Sequence, residues 1–233
     1  MSPWRTSAWR WCGSSSTGTE RRPKLRSGKA LALDRHLGAA NAFYALFLNA
    51  AGRHEESLEE ATQGQRLDPL SLIINTARTW PLFALGRYEE ALAQVKQVLD
   101  LDPGFPESHS QLIGIYEELG RYGDAAAAFA RHPAIGGRAD IGARLAEAVR
   151  AGGAEGYWRA KLEVIESTGP VVSPYLRAIC HAALGEQAQA LDALERACEE
   201  RSGYILFVKT EPRLRSLAEN PRFQALLQRV GFP

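Results

Sequence analysis

The sequence predicts an all-α fold, a solenoid of αα-hairpins with about four to five units, the last two degenerate, closed by a C-terminal capping helix. Three observations predict it. Landmarks recur at one interval: Gly52, Gly86 and Gly120 are spaced 34 residues apart, as are Arg53, Arg87 and Arg121, and Ser57, Ala91 and Ala125. Apolar residues between the landmarks follow helical spacing. Asp68-Pro69 and Asp102-Pro103 close successive intervals, where proline ends a helix and drives the preceding residue out of the α region.

The central unit, Leu72 to Pro103, shows how each interval folds. Ile73, Ile74, Leu82, Phe83 and Leu85 make the apolar side of a first helix that stops at Gly86, a residue suited to the left-handed conformation of a helix end. Ala91, Leu92, Val95, Val98 and Leu99 fall at i, i+1, i+4, i+7 and i+8, one stripe of a second helix. Small residues at Ala45, Ala91 and Ala125 let two helices approach within about 8–10 Å. Pro81, inside the first helix, removes a backbone donor and crowds the carbonyl of Ala77, so a kink is expected there.

These residues resemble the tetratricopeptide repeat family. One unit meets its pattern at Ala45, Leu48, Gly52, Ser57, Gly64 and Pro69, and the next at Leu82, Gly86, Ala91, Val95, Val98 and Pro103. The third has Tyr116, Gly120, Ala125 and Phe129, then departs, because His132-Pro133 ends its second helix early. Thr79 and Ile113 stand where the family prefers Gly or Ala. The resemblance implies a right-handed superhelix that binds a protein or peptide.

Before and after the regular units the pattern changes. Residues 1–29 carry Trp4, Trp9, Trp11 and seven Lys or Arg against the single acid Glu20. Several readings of this arm stand side by side: a poorly ordered basic arm, a nucleic-acid contact, a targeting peptide, or a damaged half-repeat from a shifted reading frame upstream of about Lys29. The division expected is residues 1–28 as that arm, 29–137 as regular repeats, 138–204 as degenerate repeats and 205–233 as the cap. Arg138 to Ala151 and Glu155 to Ser167 pair around Gly152-Gly153, and Val171 to Glu200 turns at Gly185. Asn220 and Pro221 start a last helix whose Phe223, Leu226, Leu227 and Val230 cover the fifth unit. The tail from Ala188 to Pro233 resembles the closing segment of bacterial tetratricopeptide proteins that carry a winged-helix, Ser/Thr kinase or nucleotide cyclase domain.

Composition narrows the function. A net charge of +1 exerts no general pull on nucleic acid or membrane surfaces. Cys12, Cys180 and Cys198 have no metal-ligand spacing, which favours free thiols in a reducing, cytoplasmic setting. No stretch reaches the 18 or more apolar residues of a membrane span. P-loop, H-E-x-x-H, G-x-S-x-G and dinucleotide fingerprints are all missing, and the histidines are scattered, His54 holding a turn position shared with Tyr88 and Tyr122. Neither a catalytic residue nor a cofactor or metal is therefore expected.

The expected function is a non-catalytic interaction scaffold for a partner peptide or helix, the alternatives being a spacer without its own ligand or the regulatory part of a kinase or DNA-binding regulator. In the family, first-helix residues line the concave groove. Here they are Ala42, Leu46 and Asn49, then Ile73, Thr76, Trp80 and Phe83, then Ser110, Gly114 and Glu117, then Tyr175 and Ile179. Relatives that grip the acidic tail of heat-shock chaperones use Lys, Arg and Asn at such places. Only Asn49 matches, so no such clamp is expected, and Trp80 is the leading anchor for an apolar ligand.

Overall fold

The computed structural model describes residues 38–132, 139–167 and 173–231, and every regular element among them is helical. The expectations for residues 1–28, including the reading-frame question, lie outside the described residues. The order is α1 (Gly38–Ala50), α2 (His54–Leu67), α3 (Leu72–Ala84), α4 (Tyr88–Leu101), α5 (Pro106–Glu118), α6 (Tyr122–Arg131), α7 (Ala139–Ser167), α8 (Pro174–Ala183) and α9 (Gln187–Glu199). Two 3₁₀ segments, η1 (Gly203–Phe207) and η2 (Pro212–Leu217), precede α10 (Pro221–Val230). Successive helices pack as hairpins, and the first helices α1, α3 and α5 also touch in turn, so the chain is an all-α solenoid.

One backbone device ends the first helix of each regular unit. Gly52, Gly86, Gly120 and Gly185 take positive φ of 83°, 74°, 69° and 77°. The next amide reaches back five residues to the helix: Arg53 to Leu48 O at 2.9 Å, Arg87 to Leu82 O at 2.9 Å, Arg121 to Tyr116 O at 2.8 Å and Glu186 to His181 O at 2.9 Å. These are Schellman closures, which satisfy carbonyls that the helix end leaves open. The recurring Arg then pairs with the acid three residues on, Arg53 with Glu56, Arg87 with Glu90 and Arg121 with Asp124. All these pairs are solvated and contribute little to stability.

Close packing occurs where small residues were expected. The Ser57 hydroxyl donates to the Ala45 carbonyl at 2.6 Å, tying α2 to α1. A Cβ on Gly64 would stand 3.0 Å from the Gly38 carbonyl, so that crossing requires glycine. Thr79 and Ile113 are nonetheless buried. Arg78 does not reach a carboxylate: its guanidinium donates to Gln94 Oε1 at 2.5 Å, beside Asn75 and Gln65, in a polar cluster joining α2, α3 and α4. Helix α3 runs through Pro81 to Ala84.

The degenerate units keep the hairpin by other means. Gly153, with φ of 57° and ψ of −134°, breaks α7 into two arms. Arg144 pairs with Glu163 across them, and a Cβ on Gly156 would stand 2.2 Å from the Ala148 carbonyl. Helix α9 ends with the same closure as the others, Ser202 N to Ala197 O at 2.8 Å, but its left-handed residue is Arg201, with φ of 55°. A side chain there costs about 1–2 kcal/mol. Helix α10 docks on α9: Phe223, Leu226 and Val230 are buried, the Asn220 side chain caps the helix through Arg222 N at 3.0 Å, and the Arg222 guanidinium holds Asp192 and Glu195. Each buried side chain of this kind contributes about 1.5–3 kcal/mol before ordering entropy is subtracted.

Two outcomes follow from this closure. Arg201→Gly should raise the free energy of unfolding by about 0.5–1 kcal/mol, measured by urea denaturation; an unchanged midpoint would show that the Arg201 side chain offsets its backbone. Deleting residues 220–233 should lower amide-exchange protection of residues 178–197 before that of α3 and α4. Undiminished protection there would remove α10 from the role of cap.

Candidate interaction groove

The residues assigned to the groove lie on the first helices α1, α3, α5 and α8, and the chain's own segment 203–217 makes contacts with all four. At one end, Phe207 stacks on Trp80 with ring centroids 4.5 Å apart and planes within 2°. Segment η1 also touches α1, and the Lys209 charge is felt at His54, whose pKa burial lowers, with Glu55 opposing and Lys209 reinforcing. At the other end, Tyr204 stacks on Tyr175 at 6.0 Å. Ser202 and Ser173 share a hydrogen bond of 2.9 Å behind it.

Between these aromatic contacts lies a buried ion cluster. Glu117, on α5, has a fully buried carboxylate. It accepts from the Tyr157 hydroxyl at 2.7 Å, from the Lys161 ammonium, and from the Arg213 guanidinium at 2.6 Å. Arg213 in turn makes a two-pronged pair with Glu211, at 2.7 and 2.8 Å. Its planar guanidinium needs a flat socket. Gly114 provides one, since a Cβ at that position would stand 3.2 Å from the guanidinium carbon, and the Phe83 ring supplies a face 5.7 Å away. Arg215 adds a more exposed pair with Glu118, which also accepts from the Tyr88 hydroxyl at 2.8 Å.

The electrostatics follow from burial and charge together. Burial works to raise the pKa of Glu117, but the Lys161 and Arg213 charges outweigh it and hold the carboxylate below its ordinary range. Burial opposes the charge of Arg213, and Glu211 and Glu117 more than restore it. Burial, with Glu117 beside it, pushes the Tyr157 phenol well up, and burial pushes the Cys180 thiol up to about 12. Both therefore stay protonated near neutral pH and act as donors and packing groups.

The remaining groove residues divide by depth. Asn49 is buried and its Oδ1 lies 2.8 Å from His54 Nδ1. Thr76 is buried, its hydroxyl donating to Leu72 O at 2.7 Å and its carbonyl accepting from Gln111 Nε2 at 3.2 Å. Leu46 packs against Ala42, Ile74 and Ala77. Ile179 is buried in the core, whereas Ile73 is 39% exposed. Ser110 Oγ shares a 2.9 Å hydrogen bond with His132 Nε2, which fastens the end of α6 to α5. Among the described residues no cluster of His, Cys, Asp or Glu could hold a metal ion, and no helix is long and apolar enough to cross a membrane.

Sequence reasoning named one side of these contacts, Trp80, Phe83, Gly114, Glu117 and Tyr175, and missed Lys161, Tyr204, Phe207, Glu211 and Arg213. Lys161 did leave a signal. Tyr157, Trp158, Lys161, Val164 and Ile165 fall at i, i+1, i+4, i+7 and i+8 and are all buried, so a cation interrupts an apolar stripe. Such a cation must find a carboxylate.

The fold defines a class, the all-α helical-repeat solenoids. Residues 82–149 match the family model described as tetratricopeptide repeat. The matched stretch runs from the end of α3 through α4, α5 and α6 into the first arm of α7. No curated protein matches the chain.

Glu117→Gln should destabilise the chain by about 3 kcal/mol or more, because Lys161 and Arg213 lose their shared counter-charge in a buried site. The sign of the pH effect is fixed by the depressed pKa of Glu117. Its contribution is fully present above the unfolded carboxylate pKa and is lost as pH falls through the lower folded value. Urea denaturation between neutral and acid pH should therefore show a smaller acid-induced loss in Glu117→Gln than in the wild type; parallel losses would remove Glu117 as a source.

Proposed function

We propose that this chain is a non-catalytic protein-interaction scaffold whose first-helix face receives a peptide segment. The observation that supports this reading most is that the face already holds the chain's own segment 203–217 through aromatic stacking on Trp80 and Tyr175 and a guanidinium on Glu117. Trp80 is the anchor. It is half-buried, so one part of the ring packs and another remains available to a ligand.

The absence of an acid, base or nucleophile poised for chemistry among the groove residues favours binding over catalysis. Buried Tyr157, Tyr175 and Cys180 all have raised pKa values through burial, which suits structural donors and not nucleophiles. The tail's resemblance to the closing segments of bacterial regulators supports a place as the sensing part of a larger signalling system in the cytoplasm. Nothing in the groove favours nucleic acid or a membrane surface as the partner.

A phage-displayed peptide library selected on the full chain tests this reading. Recovered peptides should be rich in aromatic residues, and Trp80→Ala should weaken them by about tenfold or more, as loss of a central aromatic anchor does, with the far-UV circular dichroism unchanged. Peptides indifferent to Trp80, or a collapse of helicity in Trp80→Ala, would take the anchor role away.

A further inference from the structure

Resting on the groove reading above, we infer that residues 203–217 are a resident occupant of the groove, and that the partner is a peptide of the same chemistry, an aromatic residue followed by an arginine six positions on, which takes their place. Phe207 and Arg213 set that spacing. Phe207 supplies the ring on Trp80. Arg213 fills the socket of Gly114, Phe83 and Glu117.

Charge pairing makes the exchange feasible. Removing one member of a buried ion pair strands the other at a large cost. Here the two halves of the cluster are each paired on their own side. Glu117 on the groove keeps Lys161, which is held over the Phe129 and Trp158 rings at 5.6 and 5.0 Å and does not belong to the segment. Arg213 keeps Glu211, two residues away on the segment itself. Separation thus leaves one neutral pair in the groove and one on the departing strand. An incoming arginine finds the same carboxylate, the same ring and the same missing Cβ.

The aromatic end is where exchange begins. Its two rings are the accessible part of the segment: Tyr204 is 37% exposed and Phe207 is half-buried, whereas Ile205 and Val208 beside them are buried, as are Leu214 and Leu217. A competing aromatic therefore meets Trp80 before Arg213 has to leave. Ile73, 39% exposed and about two turns before Trp80 on the same face of α3, extends the apolar surface beyond that first contact.

The test uses a fluorescein-labelled synthetic peptide with the sequence of residues 202–218, titrated by anisotropy against the full chain. Phe207→Ala, which loosens the resident strand, should bind the peptide about tenfold more tightly than the wild type does. Peptides with Ala in place of Phe207 or of Arg213 should lose that gain, and so should the chain carrying both Phe207→Ala and Trp80→Ala. Equal affinity for wild type and Phe207→Ala would overturn the resident-occupant inference; if that equal binding still needs Trp80, the groove reading survives. No binding to Phe207→Ala also overturns the inference. Should Phe207→Ala fail to fold by circular dichroism, Tyr204→Ala loosens the same end of the segment through its more exposed contact with Tyr175, and the same outcomes apply.

Discussion

The carboxylate of Glu117 is the point at which the stack closes on itself. In a solenoid each unit packs only on its neighbours, yet the Glu117–Arg213 pair joins residues 96 positions apart. A carboxylate this deeply buried requires donors on every side. It draws them from two elements outside its own helix: Tyr157 and Lys161 from the second arm of α7, and Arg213 from η2. The third unit, the fourth unit and the C-terminal segment must therefore come together in one register. Buried ions of this kind add little net stability over an apolar replacement. Their effect is to favour one arrangement, because Glu117 is fully paired only where Lys161 and Arg213 both reach it.

The ion pairs of the turns obey the opposite logic. Arg53–Glu56, Arg87–Glu90 and Arg121–Asp124 recur with the period of the repeat, but each is open to water and contributes little. Periodicity thus marks where the backbone closes, through Gly52, Gly86 and Gly120, and not where the energy lies. The non-periodic residues, Glu117, Lys161 and Arg213, hold the long-range contacts. Each stands at a place that its counterparts in other units fill with something else.

That distinction explains what the sequence made legible. The hairpins could be read because a helix stripe and its end are local, spaced by 3.6 residues and stopped by a glycine. Even α7, where the repeat decays, showed its break at Gly152-Gly153, and the structure breaks at Gly153. The stack of Phe207 on Trp80 could not be read, since no local period links residues 127 positions apart. In residues 205–233, expected as an end cap, α10 and η1 both touch α9, while η1 and η2 also turn back to α1 and α8, which no local period foretells. The physical reason is the Pro212 region: Glu211 caps η2 through Arg213 N at 3.2 Å, and the same two side chains pair, so the strand is bent and its guanidinium aimed at Glu117.

Depth along the groove then decides how the face can recognise anything. At its centre, charge is sealed from water, and discrimination there is steep because a wrong group leaves Glu117 or Lys161 without full pairing. At its ends, the contacts are aromatic rings with exposed edges, Tyr204 and Phe207 among them, where stacking is worth about 0.5–1.5 kcal/mol beyond area and tolerates change. A face built this way makes first contact through its tolerant part and selects through its intolerant part. On the proposed reading the order matters, because a ligand that begins at Trp80 would gain apolar burial before it meets the cost of desolvating a guanidinium, and only one carrying that guanidinium at the right distance would complete the site.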